Sequence, residues 1–149
     1  MRAVIQRVNQ ANVLVDGEVI SSVENGVLVL LGIKNGDTVA DGDYIADKIA
    51  HLRIFDDENG TMNNSISDVS GEILLVSQFT LYGDARKGRR PSYSSAAKGN
   101  EAYDLYIYVT ERLKQFGINV STGRFGADMK VSLINDGPVT ILLDSEKVF

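Results

Sequence analysis

Cysteine is absent from the 149 residues, which removes disulfides, thiolate nucleophiles and every cysteine-ligated zinc or iron–sulfur site at once. Histidine occurs once, as His51. A zinc hydrolase gathers two or three imidazoles, and a Ser-His-Asp triad would have to rest on His51 alone. That residue falls in Ile49-Ala50-His51-Leu52-Arg53, near the end of an expected helix, where a cationic tip suits the dipole. Long apolar runs are missing too. The opening Met1-Arg2-Ala3-Val4-Ile5-Gln6-Arg7 holds no apolar stretch long enough for a signal-peptide core. No later segment approaches the ~18 uninterrupted apolar residues of a membrane helix. The expectation is a cytoplasmic protein with no membrane partner. An enzyme of this composition would work through backbone dipoles, hydroxyls or its own substrate.

Positive charge is in deficit: 15 Lys and Arg against 20 Asp and Glu give a net charge of −5. Phosphate neutralisation dominates nonspecific nucleic-acid binding, so this balance argues against that mode. The cations are unevenly spread, however. Arg86-Lys87-Gly88-Arg89-Arg90 is a dense basic cluster, readable as a solvated loop or as a phosphate or RNA contact. With 44% apolar and 23% charged residues, the chain has the make-up of one soluble globular domain spanning 1–149. A domain of that size buries roughly 68–70% of its unfolded surface.

Alternation at Val4, Gln6 and Val8 predicts an opening strand, and Val13-Leu14-Val15 and Glu18-Val19-Ile20 flank Asp16-Gly17, a type I′ hairpin signal. The apolar run Val27 to Ile33 reads as a buried strand closed by Asn35-Gly36. Ile45, Ile49 and Leu52 recur at helical spacing from about Thr38 to Leu52, with Asp37 or Thr38 as N-cap. Asp56-Asp57-Glu58-Asn59-Gly60 reads as a surface turn, lacking the spaced ligands and closing Glu of a calcium loop. A strand is expected from Glu72 to Tyr82 and a long basic loop from Gly83 to Ser95. A second helix is expected from about Asn100 to Phe116, ended by Gly117. Strands at Ile118 to Val120, Met129 to Leu133 and Val139 to Leu143 follow, the last two separated by an Asp136-Gly137-Pro138 turn. Without regular βαβ alternation, the class is α+β with mainly antiparallel sheet.

Two segments place unusual polar groups beside strands: Ser77-Gln78-Phe79-Thr80-Leu81-Tyr82 and Asn135-Asp136-Gly137-Pro138-Val139-Thr140. Thr80 is a candidate nucleophile without an obvious base, and a threonine on a strand also serves as β-branched filler. Gln78 could donate to an oxyanion or satisfy a strand edge. Gly137-Pro138 reads as a turn or as a cis peptide. Only before proline is cis inexpensive, and it aims two successive carbonyls in nearly the same direction, where they could accept from an ammonium group.

At these residues the chain resembles the D-aminoacyl-tRNA deacylase (D-tyrosyl-tRNA deacylase) family. The resemblance runs through Ile5-Gln6-Arg7-Val8, Gly32, Arg53-Ile54-Phe55, Ser77 to Leu81, Arg90-Pro91-Ser92, Thr122-Gly123-Arg124-Phe125, Asp128-Met129 and Asn135 to Thr140. Each motif is weak alone, and their joint order is specific. Tyr93 departs from the family's more frequent phenylalanine.

The resemblance implies a homodimeric hydrolase with a barrel-like core and sites at the subunit interface, acting on the acceptor end of aminoacyl-tRNA. The implied activity is chirality proofreading: cleavage of the ester joining a D-amino acid, and glycine mischarged on alanine tRNA, to tRNA. Gln78, Phe79 and Thr80 take the catalytic role, Phe79 and Thr80 through backbone N–H groups forming an oxyanion hole, with the tRNA 2′-hydroxyl assisting water. Ser77, Met129, Gly137 and Pro138 are the implied substrate contacts, the Gly-cisPro pair gripping the amino group from the partner subunit. Arg86, Lys87, Arg89 and Arg90 are the expected tRNA contacts. No metal or organic cofactor follows. Two rivals stand beside this reading: a general small-ester hydrolase with Thr80 as nucleophile, and an RNA-binding dimer that does not cut.

Overall fold

The computed structural model describes residues 1–149. Strand β1 (Arg2–Val15) and strand β2 (Glu18–Val23) form the expected hairpin. Asp16 and Gly17 have φ of 51° and 79°, the two left-handed residues a type I′ turn requires. Strand β3 (Gly26–Gly32) is buried along nearly its whole length. Helix α1 (Val39–His51) opens at Thr38, whose backbone N–H donates to Asp41 at 2.8 Å in a capping-box arrangement. Strands β4 (Phe55–Asp56) and β5 (Met62–Asn64) make a small hairpin. Its turn is closed by the Asp57 carboxylate, which accepts from the backbone of Asn59 at 2.9 Å and Thr61 at 3.1 Å.

Strand β6 (Glu72–Ser77) gives way to a 3-10 turn, Phe79–Tyr82. The strand expected through Tyr82 therefore stops five residues early, and Thr80 sits on a turn. The apolar pattern of Ile73 to Val76 lapses at Ser77-Gln78, and the chain turns there instead of continuing the ladder. Helix α2 (Gly99–Gln115) buries Ala102, Leu105, Val109 and Leu113, and Gly117 at φ 80° ends it. Strands β7 (Asn119–Thr122) and β8 (Lys130–Asp144) complete the chain.

Strand β1 is the spine of the sheet. One of its edges carries β8 along almost its full length; the other carries β3 beside Arg2–Val8 and β2 beside Ala11–Val15. From β3 the sheet continues to β6 and β7 in parallel pairings, each reached through a helical crossover. The α+β sheet is nearly closed into a barrel, and α1 and α2 pack together against it. Ala3 and Ile5 of β1 enter the larger core with the helices, while Val8, Ala11, Val13 and Val15 enter a second, all-strand core. Fully burying one such aliphatic side chain is worth about 1.5–3 kcal/mol.

Residues Asp136 to Pro138 do not end one strand and start another. Thr140 pairs with Gln6 and Asn135 with Val8, so Asp136 to Val139 bulge out opposite Arg7 within one continuous β8. The long partner β1 holds both halves in line, and the surplus residues leave the ladder.

Candidate functional site

The 3-10 turn after β6 forms one wall of a cavity of about 320 Å³. Ser77, Gln78 and Phe79 line it, and Leu31, Ala97, Ala102 and Phe125 give it an apolar interior. Its size lies at the lower end of small-ligand pockets. Phe79 is 56% exposed, and its ring meets that of Tyr93 edge-on at 5.3 Å. Behind the pocket, Phe125 packs on Tyr103 and Tyr106. The Tyr106 hydroxyl donates to the carbonyl of Leu75 at 2.8 Å, and burial pushes its phenol up.

The backbone of this wall is unevenly satisfied. Gln78 N–H donates to Leu31 O at 2.8 Å, Leu81 N–H to Gln78 O at 3.2 Å and Gly83 N–H to Thr80 O at 2.9 Å. The N–H groups of Phe79 and Thr80, first in the turn, have no acceptor within it, because its i→i+3 bonding begins at the Leu81 N–H. They are the unpaired donors that the start of any helical turn leaves over. The side-chain amide of Gln78 is hydrogen-bonded to the Thr80 hydroxyl. An amide is no base in either orientation, so nothing here activates that hydroxyl.

The second candidate segment lies on the β8 bulge. The Gly137-Pro138 bond is cis, Gly137 has φ 115°, and both residues are exposed. Asn135 ties the bulge at its neck, its Nδ2 donating to Arg7 O at 2.9 Å and Val139 O at 3.0 Å. Beneath lies Arg7, only 8% exposed. Its Nη1 donates to Ile54 O at 2.7 Å. Its Nε is 3.0 Å from the Asp136 carboxylate, an ion pair misaligned for a hydrogen bond. A Cβ on Gly137 would stand 3.1 Å from Arg7 Nη2 and 2.9 Å from Val139 Cγ2.

Within one chain these two segments do not share the cavity, because Gly137 and Pro138 are absent from its lining. Thr80 stands beside it. Met129 is half-buried against the all-strand core, its sulfur so close to Gly123 that a Cβ there would lie 2.7 Å away. The basic loop is held at its base by reciprocal N–H···O bonds between Asp84 and Ser92, 2.8 and 2.9 Å. Arg86 is forked on Asp84 at 2.9 and 2.6 Å, and those side-chain bonds hold the Asp84 carboxyl well below the usual range. Lys87, Arg89 and Arg90 are exposed and pair with no carboxylate. His51 is remote from both segments, with Nδ1 2.8 Å from Asp47 O and its ring edge-on to Phe116.

Arg7 and Asn135 were not assigned roles from sequence. Arg7 did leave a signal: it falls on the buried phase of β1 with Ala3 and Ile5, where an unpaired charge is rare.

The sequence profile of the family described as D-Tyr-tRNA(Tyr) deacylase matches residues 4–144. The chain belongs to this family. It is 59% identical over 150 residues to a D-aminoacyl-tRNA deacylase of Thermosipho melanesiensis, all of both chains being covered. It is 57% identical over 147 residues to one of a Geobacillus species, covering 99% of this chain and 97% of that one. A solved structure titled c-Myc DNA unwinding element binding protein is 42% identical, with TM-score 0.91 over 97% of this chain and 98% of that one. A structure described as a probable eukaryotic D-amino acid tRNA deacylase shares 18% identity at TM-score 0.79, covers 95% of this chain and 97% of that one, and bears on the fold alone.

Proposed function

We propose that this chain hydrolyses the ester bond between a D-amino acid and the 3′ end of tRNA, acting in the cytoplasm as a homodimeric proofreading enzyme. The observation that carries the reading is the pair of N–H groups that the 3-10 turn leaves without a partner of its own, Phe79 on the lining of the apolar cavity and Thr80 beside it. Donors held by a rigid turn are preorganised for the oxyanion that develops when water attacks an ester carbonyl. An aminoacyl ester is already activated, so such help suffices without a thiolate, triad or metal. The 2′-hydroxyl of the terminal ribose assists the attacking water, and Gln78 and Ser77 orient the ester.

Gly137-Pro138 serves as the chirality filter of the partner's site. Three features support this. The pair is exposed on a bulge braced by Asn135 and Arg7, the outer edge of β8 pairs with nothing in the chain, and Ile134 and Leu142 on β8 are 50% and 55% exposed. A filter of backbone atoms refuses L-side chains whatever their chemistry. It admits glycine, which has none to refuse, and glycine mischarged on alanine tRNA is therefore a substrate. Met129 contacts the substrate, and the loop cations meet the tRNA backbone.

Release of labelled D-amino acid from D-aminoacyl-tRNA tests the reading. Turnover above the uncatalysed blank is expected. Retained tRNA binding with no turnover would favour the rival of a non-cutting RNA-binding dimer.

A further inference from the structure

A second cavity, about 430 Å³, lies on the other side of the 3-10 turn and is lined mainly by polar residues. Phe79 at the start of the turn lines the apolar cavity, and Tyr82 at its end lines this one. One 3-10 turn spans about 6 Å, so the two cavities are close neighbours. Arg2, Lys34 and Arg86 bring three cations to the polar cleft.

Each cation has a carboxylate partner, and the pairs differ in kind. Asp144 is buried and takes Arg2 Nε at 3.1 Å, while Arg2 Nη1 donates to Leu81 O at 3.2 Å. Arg2 Nη2 is left with no partner in the chain. Lys34 with Glu146 and Arg86 with Asp84 are exposed rim pairs. Exposed pairs of this sort contribute little and exchange readily for another anion. Under the Arg2 guanidinium, 4.7 Å from its ring centroid, lies Tyr82. It is 5% exposed, and its hydroxyl has no hydrogen-bond partner. A buried hydroxyl left unpaired is costly. Displacement of the rim pairs by a phosphate would open this hydroxyl to an acceptor oxygen, directly or through one bridging water.

We infer that the cleft of Arg2, Lys34, Tyr82 and Arg86 receives a phosphodiester of the substrate's own 3′ single strand, next to the nucleoside whose ester lies at Phe79 and Thr80. This rests on the reading of the apolar cavity as the ester site. Asp84 and Glu146 act as placeholders that keep the cations extended until the phosphate displaces them. The cleft runs directly into the basic loop through Arg86, which makes one continuous cationic track from the ester to the acceptor strand.

Two variants of a single ion pair test this. Lys34→Gln removes a phosphate-binding positive charge, and Glu146→Gln removes its competitor. The substrates are a D-aminoacyl-tRNA and the same D-amino acid esterified to adenosine alone, which carries no phosphate. For Lys34→Gln, the ratio of kcat/KM on tRNA to that on the adenosine ester should fall about tenfold. The slope of log affinity for tRNA against log salt should flatten by about 0.7. For Glu146→Gln the same ratio should rise. A purely structural role for the pair would move both variants in the same direction on both substrates, and that result, or an unchanged salt slope in Lys34→Gln, overturns the proposal. Failure of the native chain to cleave either ester would instead refute the ester-site reading itself.

Discussion

Thr80 carries a hydroxyl beside the apolar cavity, and its side-chain partner is the Gln78 amide. With no base in reach, the useful group is the backbone N–H. Thr80→Ala should therefore keep D-aminoacyl-tRNA turnover within about tenfold of the native rate, the scale of one lost hydrogen bond. A tRNA ending in 2′-deoxyadenosine should lose far more. Trapping an aminoacyl ester on Thr80 would reverse this view. Gly137 offers a second test, because φ 115° is a region that L-residues rarely adopt and a Cβ there would press on Val139 and Arg7. Strain of about 1–3 kcal/mol is the usual scale. Gly137→Ala should lower kcat/KM for D-aminoacyl-tRNA at least about tenfold while circular dichroism stays native. Unaltered rate and chiral preference would remove the bulge from the mechanism. At this scale the segments of the candidate site were legible, and the residues that brace them were not. Ser77 to Thr80 and Gly137-Pro138 stood out as polar groups beside strands, but Arg7 and Asn135 act through pairing partners more than 120 residues away. No local pattern encodes that distance.

The elements divide by how local their causes are. Both helices carry their own periodicity, α1 a capping box at Thr38 and α2 a terminating Gly117, so their ends were readable to within a residue or two. The β3–β6 and β6–β7 pairings were not foreseen as parallel, although two continuous apolar runs, each followed by a helix, are what parallel strands look like. The β8 bulge also escaped, because Asp136-Gly137-Pro138 has turn chemistry and only the length of β1 keeps the strand going. For the basic loop, the base is fixed by Asp84 and Ser92 and the tip is free. Replacing Arg86, Lys87, Arg89 and Arg90 with Ala should weaken tRNA binding. It should also flatten the salt slope by about 0.7–0.9 for each phosphate that is no longer neutralised. An unchanged slope would mean that the loop faces away from the nucleic acid.

For the whole molecule, the net charge of −5 and the local basic track point the same way. An acidic body discourages nonspecific binding, and on the proposed reading a single strand enters along the face that carries the exposed cations. The fold class followed from strand and helix order, but near-closure of the barrel depends on β1 pairing along both edges, which only the assembled sheet reveals. The separation of the Phe79 wall from Gly137-Pro138 within one chain is what makes a second copy part of the account. Its central claim is that backbone atoms of this assembly read the chirality of an ester-linked amino acid. The direct measurement is deacylation of one tRNA charged with the D- or the L-form of the same amino acid, at equal concentration and salt. The account predicts release of the D-amino acid at least about a thousandfold faster than the L-form, beyond the roughly 10–200-fold that one misfitting methylene in an apolar pocket achieves. Equal rates for the two, or no release of either above the uncatalysed blank, would contradict it.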